Sequence, residues 1–126
     1  MAWAGILLVD PAGRVLLARR SAKVSNPGLW AIPGGGVEDG ETEFEAAVRE
    51  YEEEMGIDIA APPINAWFFD DDEIVYRDKW VFVIPVKAHP RVTLNWENSD
   101  YEWADPKNLP EPLHRGTRKI LRAWLD

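Results

Sequence analysis

Gly35-Gly36-Val37-Glu38-Asp39-Gly40-Glu41-Thr42-Glu43-Phe44-Glu45-Ala46-Ala47-Val48-Arg49-Glu50-Tyr51-Glu52-Glu53-Glu54-Met55-Gly56-Ile57 is the stretch on which the reading of this chain turns. Its centre predicts a helix over 42–55. Thr42 and Glu45 have the spacing of a capping box, in which a hydroxyl and a carboxylate each take one orphan N–H of the first turn. Phe44, Ala47, Val48, Tyr51 and Met55 recur at helical spacing and predict a buried stripe. Gly56 is the expected stop, because glycine enters the left-handed conformation without penalty.

Glu50, Glu53 and Glu54 are spaced i, i+3, i+4 and so share one face of that helix. At about 100° per residue the face lies roughly 120° around from the apolar stripe. Carboxylates this close cannot all stay ionised cheaply. Two readings are open on the residues alone. Hard divalent cations such as Mg²⁺ or Mn²⁺ prefer such oxygen ligands and leave positions for water and phosphates. Alternatively the face is solvated and balanced by Arg49, which stands four residues from both Glu45 and Glu53. The preceding Pro33-Gly34-Gly35-Gly36 permits close approach of the main chain to a ligand, or makes an ordinary tight turn.

Nine acids and one base lie between Glu38 and Glu54, and the remaining acids and bases balance at thirteen each. Seventeen residues therefore hold the whole net charge of −8. Taken globally, that charge argues against a nucleic-acid or anionic-membrane partner. Taken locally, it describes a segment able to recruit cations, and cations can in turn bridge to an anionic substrate. The absence of cysteine excludes a disulfide framework, a thiolate nucleophile and a Cys-ligated zinc site.

Outward from the acidic helix the pattern is mostly β. Ala4 to Val9 and Val15 to Ala18 flank the turn signal Asp10-Pro11-Ala12-Gly13 and predict a hairpin. Leu29 to Ile32 predicts a brief strand stopped by the glycines. Ile64 to Phe69, Ile74 to Tyr76, Trp80 to Val86, Val92 to Trp96 and Tyr101 to Ala104 are further strand candidates, with an acidic turn at Asp70-Asp71-Asp72-Glu73. Thr117 to Leu125 predicts a second helix with Ile120, Leu121 and Trp124 inward. This order favours an α/β or α+β sandwich with a mixed sheet, and 126 residues without a linker or repeat favour one domain over 1–126. The first ten residues lack a basic leader, and their apolar run is too short for a membrane span, so a cytoplasmic location is expected.

Gly35, five residues, Glu41, seven residues, Arg49-Glu50, then Glu53-Glu54 and Gly56-Ile57 resembles the Nudix box, GX5EX7REUXEEXGU, where U is a bulky aliphatic. The one departure is Tyr51 at a U position; it is expected to pack as the aliphatic would, with its hydroxyl at an edge. The box covers 23 of 126 residues, and the flanking strands and C-terminal helix also look like a Nudix domain. The resemblance implies an α/β/α sandwich around a mixed β-sheet. It implies hydrolysis of a nucleoside diphosphate linked to some group X, assisted by Mg²⁺ or Mn²⁺.

Residue roles follow from the same resemblance. Glu53 and Glu54 look like the principal metal ligands, with Glu50 a further ligand or the general base. A carbonyl of Gly34 or Gly35 completes the metal shell, Arg49 orients a catalytic carboxylate, and Glu41 supports the loop. Arg19 and Arg20 stand where nucleoside-triphosphate-cleaving relatives place a phosphate-binding arginine. Glu97 is a candidate ligand or base, and His114 precedes a helix that approaches the base in this fold. Arg77 and Lys79 are candidates for phosphate contacts, and Trp30 or Trp67 for stacking.

A MutT-like pyrophosphohydrolase of nucleoside triphosphates is the leading expectation, possessing a nucleotide substrate, no membrane or stable nucleic-acid partner, and room for a homodimer. Fifteen residues after the box stands Asp72, not the proline associated with ADP-ribose hydrolases. Seventeen after it stands Ile74, not the tyrosine associated with dinucleoside-polyphosphate hydrolases. Those classes, nucleotide-sugar hydrolysis and a non-catalytic nucleotide sensor are the alternatives; an isopentenyl-diphosphate isomerase would need a cysteine.

Overall fold

The computed structural model describes residues 2–60, 63, 65–70 and 78–125, with backbone alone at 65–70 and 125. Among the described residues, seven strands and two helices follow in the order β1 Ala2–Val9, β2 Val15–Arg20, β3 Trp30–Ala31, β4 Gly34–Gly36, α1 Glu43–Met55, β5 Asn65–Asp70, β6 Asp78–Pro85, β7 Asn98–Ala104 and α2 Arg115–Leu125. The strands form one mixed sheet. Its main path is β3-β2-β1-β6-β5, with β4 paired to β1 and β7 paired to β2. β1 and β6 run parallel in register from Ala2 opposite Asp78 to Val9 opposite Pro85. The other pairings are antiparallel.

Alternation along the central strands divides the core between two faces. Ala4, Ile6, Leu8, Leu16, Ala18, Phe82 and Ile84 face α1 and meet its Ala46, Ala47, Tyr51 and Met55. Leu7, Val15, Leu17, Val81 and Val83 face the other way and pack with Ile120 and Leu121 of α2. The expected α/β/α sandwich is therefore the observed one. At the hairpin end Asp10, 4% exposed, accepts the backbone N–H groups of Ala12 and Arg14 at 3.0 and 2.8 Å and His89 Nε2 at 2.8 Å. Burial pushes its carboxyl pKa up, but His89 and Arg14 outweigh it and hold it below the usual value.

α1 forms as its local signals dictate. Thr42 Oγ1 accepts from the Glu45 N–H at 3.1 Å, and Glu45 Oε1 accepts from the Thr42 N–H at 2.8 Å. Gly56 ends the helix at φ 67°, its N–H donating to Glu52 O. A side chain here would also meet Thr93 Cβ at 2.8 Å.

Four expectations change. The glycine run is not only a stop: Gly34–Gly36 is itself a strand, pairing Gly5, Ala4 and Trp3 of β1. Val92 to Trp96 is not a strand. Its backbone instead caps α1, the Thr93 N–H donating to Met55 O at 2.8 Å and the Asn95 N–H to Glu54 O at 3.2 Å. Helix-end carbonyls need donors, and this segment supplies them. The last helix begins two residues early, at Arg115. Tyr51 is fully buried and its hydroxyl reaches no edge; it has no hydrogen-bond partner among the described residues. Its pKa is raised, first by burial and then by the nearby Glu54. The strand candidate Ile74 to Tyr76, most of the acidic turn, and Arg77 lie outside the described residues.

Candidate active site

The site is assembled where β4 passes the face of α1. Gly35 lies so close to Glu50 that a Cβ on it would stand 2.3 Å from the carboxyl carbon. Arg49 ties the parts together. Its Nε and Nη2 donate to Glu41 Oε2 and Oε1 at 2.8 and 2.9 Å, a bidentate pair. Nη1 donates to Glu50 Oε1 at 2.9 Å and Nη2 to the carbonyl of Gly36 at 3.1 Å. Glu53 Oε1 stands 3.6 Å from Nη1. Glu41 Oε1 also accepts the N–H of Glu38 at 2.9 Å, which closes the loop between β4 and α1. The Arg49 hydrogen bonds, followed by that backbone bond, bring the Glu41 pKa down to about 2. The same partnership pushes the pKa of Arg49 above its ordinary value.

The three acids of the shared helix face sit in different surroundings. Glu53 is exposed at the cleft margin. Glu50 is half-buried, and burial raises its pKa; Arg49 opposes this, while Glu53 and Glu97 add to it. Glu54 is 3% exposed. Its Oε1 accepts from Asn98 Nδ2 at 3.1 Å, and its Oε2 has no partner among the described residues. Burial pushes the Glu54 pKa up to about 8; Asn98 and Arg20 pull it down, and Glu97 and Glu50 push it further up. A buried carboxyl that combines a like-charged neighbourhood with an unsatisfied oxygen is a functional-site signal on physical grounds. As placed, no three acids or histidines among the described residues converge into a ligating group.

A cleft of about 750 Å³ opens from this cluster, lined among others by Gly34, Gly35, Glu50, Glu53, Glu97, Arg20, Lys79 and His114. Its volume is of the size that holds a small ligand such as a nucleotide. Arg20 is held by Ser25, donating to its carbonyl at 2.6 Å and to its hydroxyl at 3.0 Å. Arg19, the next residue on β2, is not among the cleft residues; its Nε donates to Gly28 O at 3.1 Å. Strand alternation and a register shift between the two arginines separate them. Glu97 is held by Asn95, whose Nδ2 donates to Glu97 Oε1 at 3.2 Å. Lys79 is 6% exposed, and His114 Nδ1 accepts the N–H of Gly116 at 3.0 Å.

Three cleft or cluster residues escape the reading of the sequence. Trp3 lays its ring against Gly5 and Gly34, where a Cβ would meet it at 2.4 and 2.5 Å, and lines the cleft. Trp96 also lines it and is 61% exposed. Asn98 reaches Glu54 from β7. The alternation of Trp3 with Gly5 was the one legible hint, since a glycine on the same strand face leaves space for a large ring. Trp30, a sequence candidate for stacking, packs instead with the α2-side core, and the side chain of Trp67 lies outside the described residues.

Comparison with known proteins agrees with this geometry. A family model described as NUDIX domain matches residues 2–124. The nucleoside triphosphatase NudI of Escherichia coli is 40% identical over an alignment spanning 76% of each chain. Among solved structures, the MutT protein from Methanosarcina mazei superposes with a TM-score of 0.78 at 26% identity, covering 98% of this chain and 91% of that one. The Nudix hydrolase RenU from M. smegmatis gives 0.84 at 23% identity, covering 98% and 83%, which speaks to the fold alone. Members of this family generally use divalent metal ions. With the box residues gathered on β4 and α1 and the match running over nearly the whole chain, this protein belongs to the NUDIX domain family and is a hydrolase of phosphoanhydride bonds.

Proposed function

We propose that this chain is a Mg²⁺- or Mn²⁺-dependent pyrophosphohydrolase of nucleoside triphosphates. The observation that carries the reading is Glu54: a buried carboxyl with an oxygen unpartnered among the described residues, close to Glu50 and Glu97, which themselves line the cleft. Such a group has a reason to exist if a cation takes the charge that burial disfavours. The donor set is all oxygen, which suits a hard divalent ion. Glu53 and Glu54 would hold it, with a carbonyl of Gly34 or Gly35 and, where it does not serve as the base, Glu50. Ligation requires Glu50 or Glu53 to turn from Arg49, since the acids do not converge as placed. When bound, the ion supplies neutralisation of the polyphosphate and acidification of water.

The protein's own residues do the rest. Arg49 occupies Glu50 Oε1 and leaves Oε2 to accept a proton from the attacking water. Burial keeps the Glu50 pKa up, which improves it as a base near neutral pH. Glu97 also lines the cleft, near enough for its charge to act on Glu50, and is the second carboxylate suited to this task. Arg20 and Lys79 supply positive charge for phosphates. Trp3 and His114, on the α2 side, are placed to contact the nucleoside. Arg19 is left out because it is not in the cleft. The named activity of the relative NudI, nucleoside triphosphatase, supports this substrate class. A panel of canonical and 8-oxo (d)NTPs, ADP-ribose, nucleotide sugars and dinucleoside polyphosphates, with products resolved by mass spectrometry, tests it. Mg²⁺-dependent release of pyrophosphate from NTPs is expected; cleavage of only the other classes would overturn the substrate assignment.

The raised pKa of Glu54 sets a pH dependence. The folded value, about 8, lies above the ordinary 4.5. The contribution of this group to stability is therefore complete below about pH 4.5 and is lost as pH rises through 8 in the metal-free protein. Cation binding needs the ionised form, so it becomes easier over the same rise. Millimolar Mg²⁺ is expected to raise the Tm little at pH 6 and by about 3–10 °C at pH 8.5. Thermal scans across this range check it; an equal increment at both pH values would remove Glu54 from the metal site.

A further inference from the structure

We propose that Asn98 is the positioning residue for Glu54, holding its carboxylate by one oxygen through a neutral donor so that the other stays available to a cation. This rests on the reading of Glu54 as a metal ligand. Asn98 opens β7, lies opposite Arg20 of β2 and is 8% exposed. Its Nδ2 donates to Glu54 Oε1 at 3.1 Å, while Oε2 is buried and unpartnered among the described residues. The main chain of Glu54 is tied to the same segment, its carbonyl accepting the Asn95 N–H at 3.2 Å. One residue of α1 is thus fixed at both backbone and side chain by residues 95–98, which are remote in sequence.

Asn95 repeats the device on Glu97. Its Oδ1 accepts the Glu97 N–H at 2.9 Å, and its Nδ2 donates to Glu97 Oε1 at 3.2 Å. Two amides thus each hold one oxygen of a carboxylate, the buried Glu54 and the cleft-lining Glu97. An amide suits this position better than a basic side chain. A lysine or arginine would pair with the carboxylate and oppose the approach of a cation through its own charge. An amide favours the ionised form by a hydrogen bond, adds no charge, and restricts the rotamer that the carboxylate adopts.

The test uses Asn98→Leu and Asn98→Ala in the full chain, with Mn²⁺ binding followed by calorimetry or electron paramagnetic resonance. N98L keeps nearly the same shape, removes the donor and adds no charge, so it separates hydrogen bonding from packing. Both variants are expected to lose about 10- to 100-fold in Mn²⁺ affinity. The Mg²⁺-induced rise in Tm should shrink in both. A merely structural asparagine would lower the Tm equally with and without metal and leave affinity untouched. Folded N98L that binds Mn²⁺ within about twofold of the wild type overturns the proposal. Glu54→Gln serves as the separate control: if it binds Mn²⁺ like the wild type, the metal-site reading itself fails, and this inference with it.

Discussion

Glu54→Gln is expected to remove turnover and at the same time to stabilise the metal-free protein at alkaline pH. The two effects have one cause. Glu54 is 3% exposed, has one oxygen bonded to Asn98 and the other unpartnered among the described residues, and stands close to Glu50 and Glu97. Ionising it there is unfavourable, which is why its pKa is pushed up to about 8. Glutamine keeps the shape, keeps an oxygen for Asn98 and carries no charge. Above pH 8 the metal-free variant should therefore melt a few degrees higher than the wild type. Below about pH 4.5, where the wild-type carboxyl is protonated in the folded and the unfolded chain alike, the difference should vanish. A neutral amide is a poor cation ligand, so kcat should fall by about 10³-fold or more, a barrier increase of about 4 kcal/mol. Glu53→Gln separates the effects: Glu53 is exposed, so activity should fall with no gain in stability. Calorimetry at the two pH values, together with single-turnover hydrolysis, checks both. Wild-type activity in Glu54→Gln would refute the assignment.

Gly35→Ala should damage the site through a single methyl group. The added Cβ would lie 2.3 Å from the Glu50 carboxyl carbon and 2.5 Å from each of its oxygens. A free side-chain end would swing away, but this one is anchored. Glu50 is bonded to Arg49 at 2.9 Å, and Arg49 is fixed by its bidentate pair with Glu41. β4 cannot retreat easily either, because Gly35 is paired with Ala4 of β1. Relief must come from displacing Glu50 or parting the strands. Misplacing a reacting group by about 1 Å costs about 100-fold in rate, and overpacking costs about 1–3 kcal/mol. Both losses are expected in Gly35→Ala. The double-mutant cycle with Glu50→Ala makes the cause visible: without the Glu50 carboxyl, the same methyl should cost little stability. An undiminished Tm penalty in the Glu50→Ala background would place the strain in the β1–β4 pairing instead.

The parts of this molecule that were legible beforehand share a feature: the interacting residues are neighbours in sequence. Thr42 and Glu45 cap a helix three residues apart, Gly56 ends it, and Glu50, Glu53 and Glu54 share a face because of helical geometry. The misreadings share the opposite feature. Val92 to Trp96 has the composition of a strand, yet its donors serve the end of α1 some forty residues away. Gly34–Gly36 has the composition of a turn, yet glycine is what lets a strand lie against Trp3 and Glu50. Arg19 and Arg20 are adjacent and alike, and only the sheet decides which of them faces the cleft.

By itself, then, the sequence determined the family, the acidic helix and its register, because a 3.6-residue period and a spaced motif are properties of the chain read locally. Only the tertiary structure decided what each acid is. Helical geometry places Glu53 and Glu54 side by side and treats them alike. Packing leaves one in solvent and buries the other against Asn98, 44 residues away, and burial is what separates their electrostatics. Desolvation depends on everything that surrounds a group, and what surrounds Glu54 comes from strands that no local pattern connects to it.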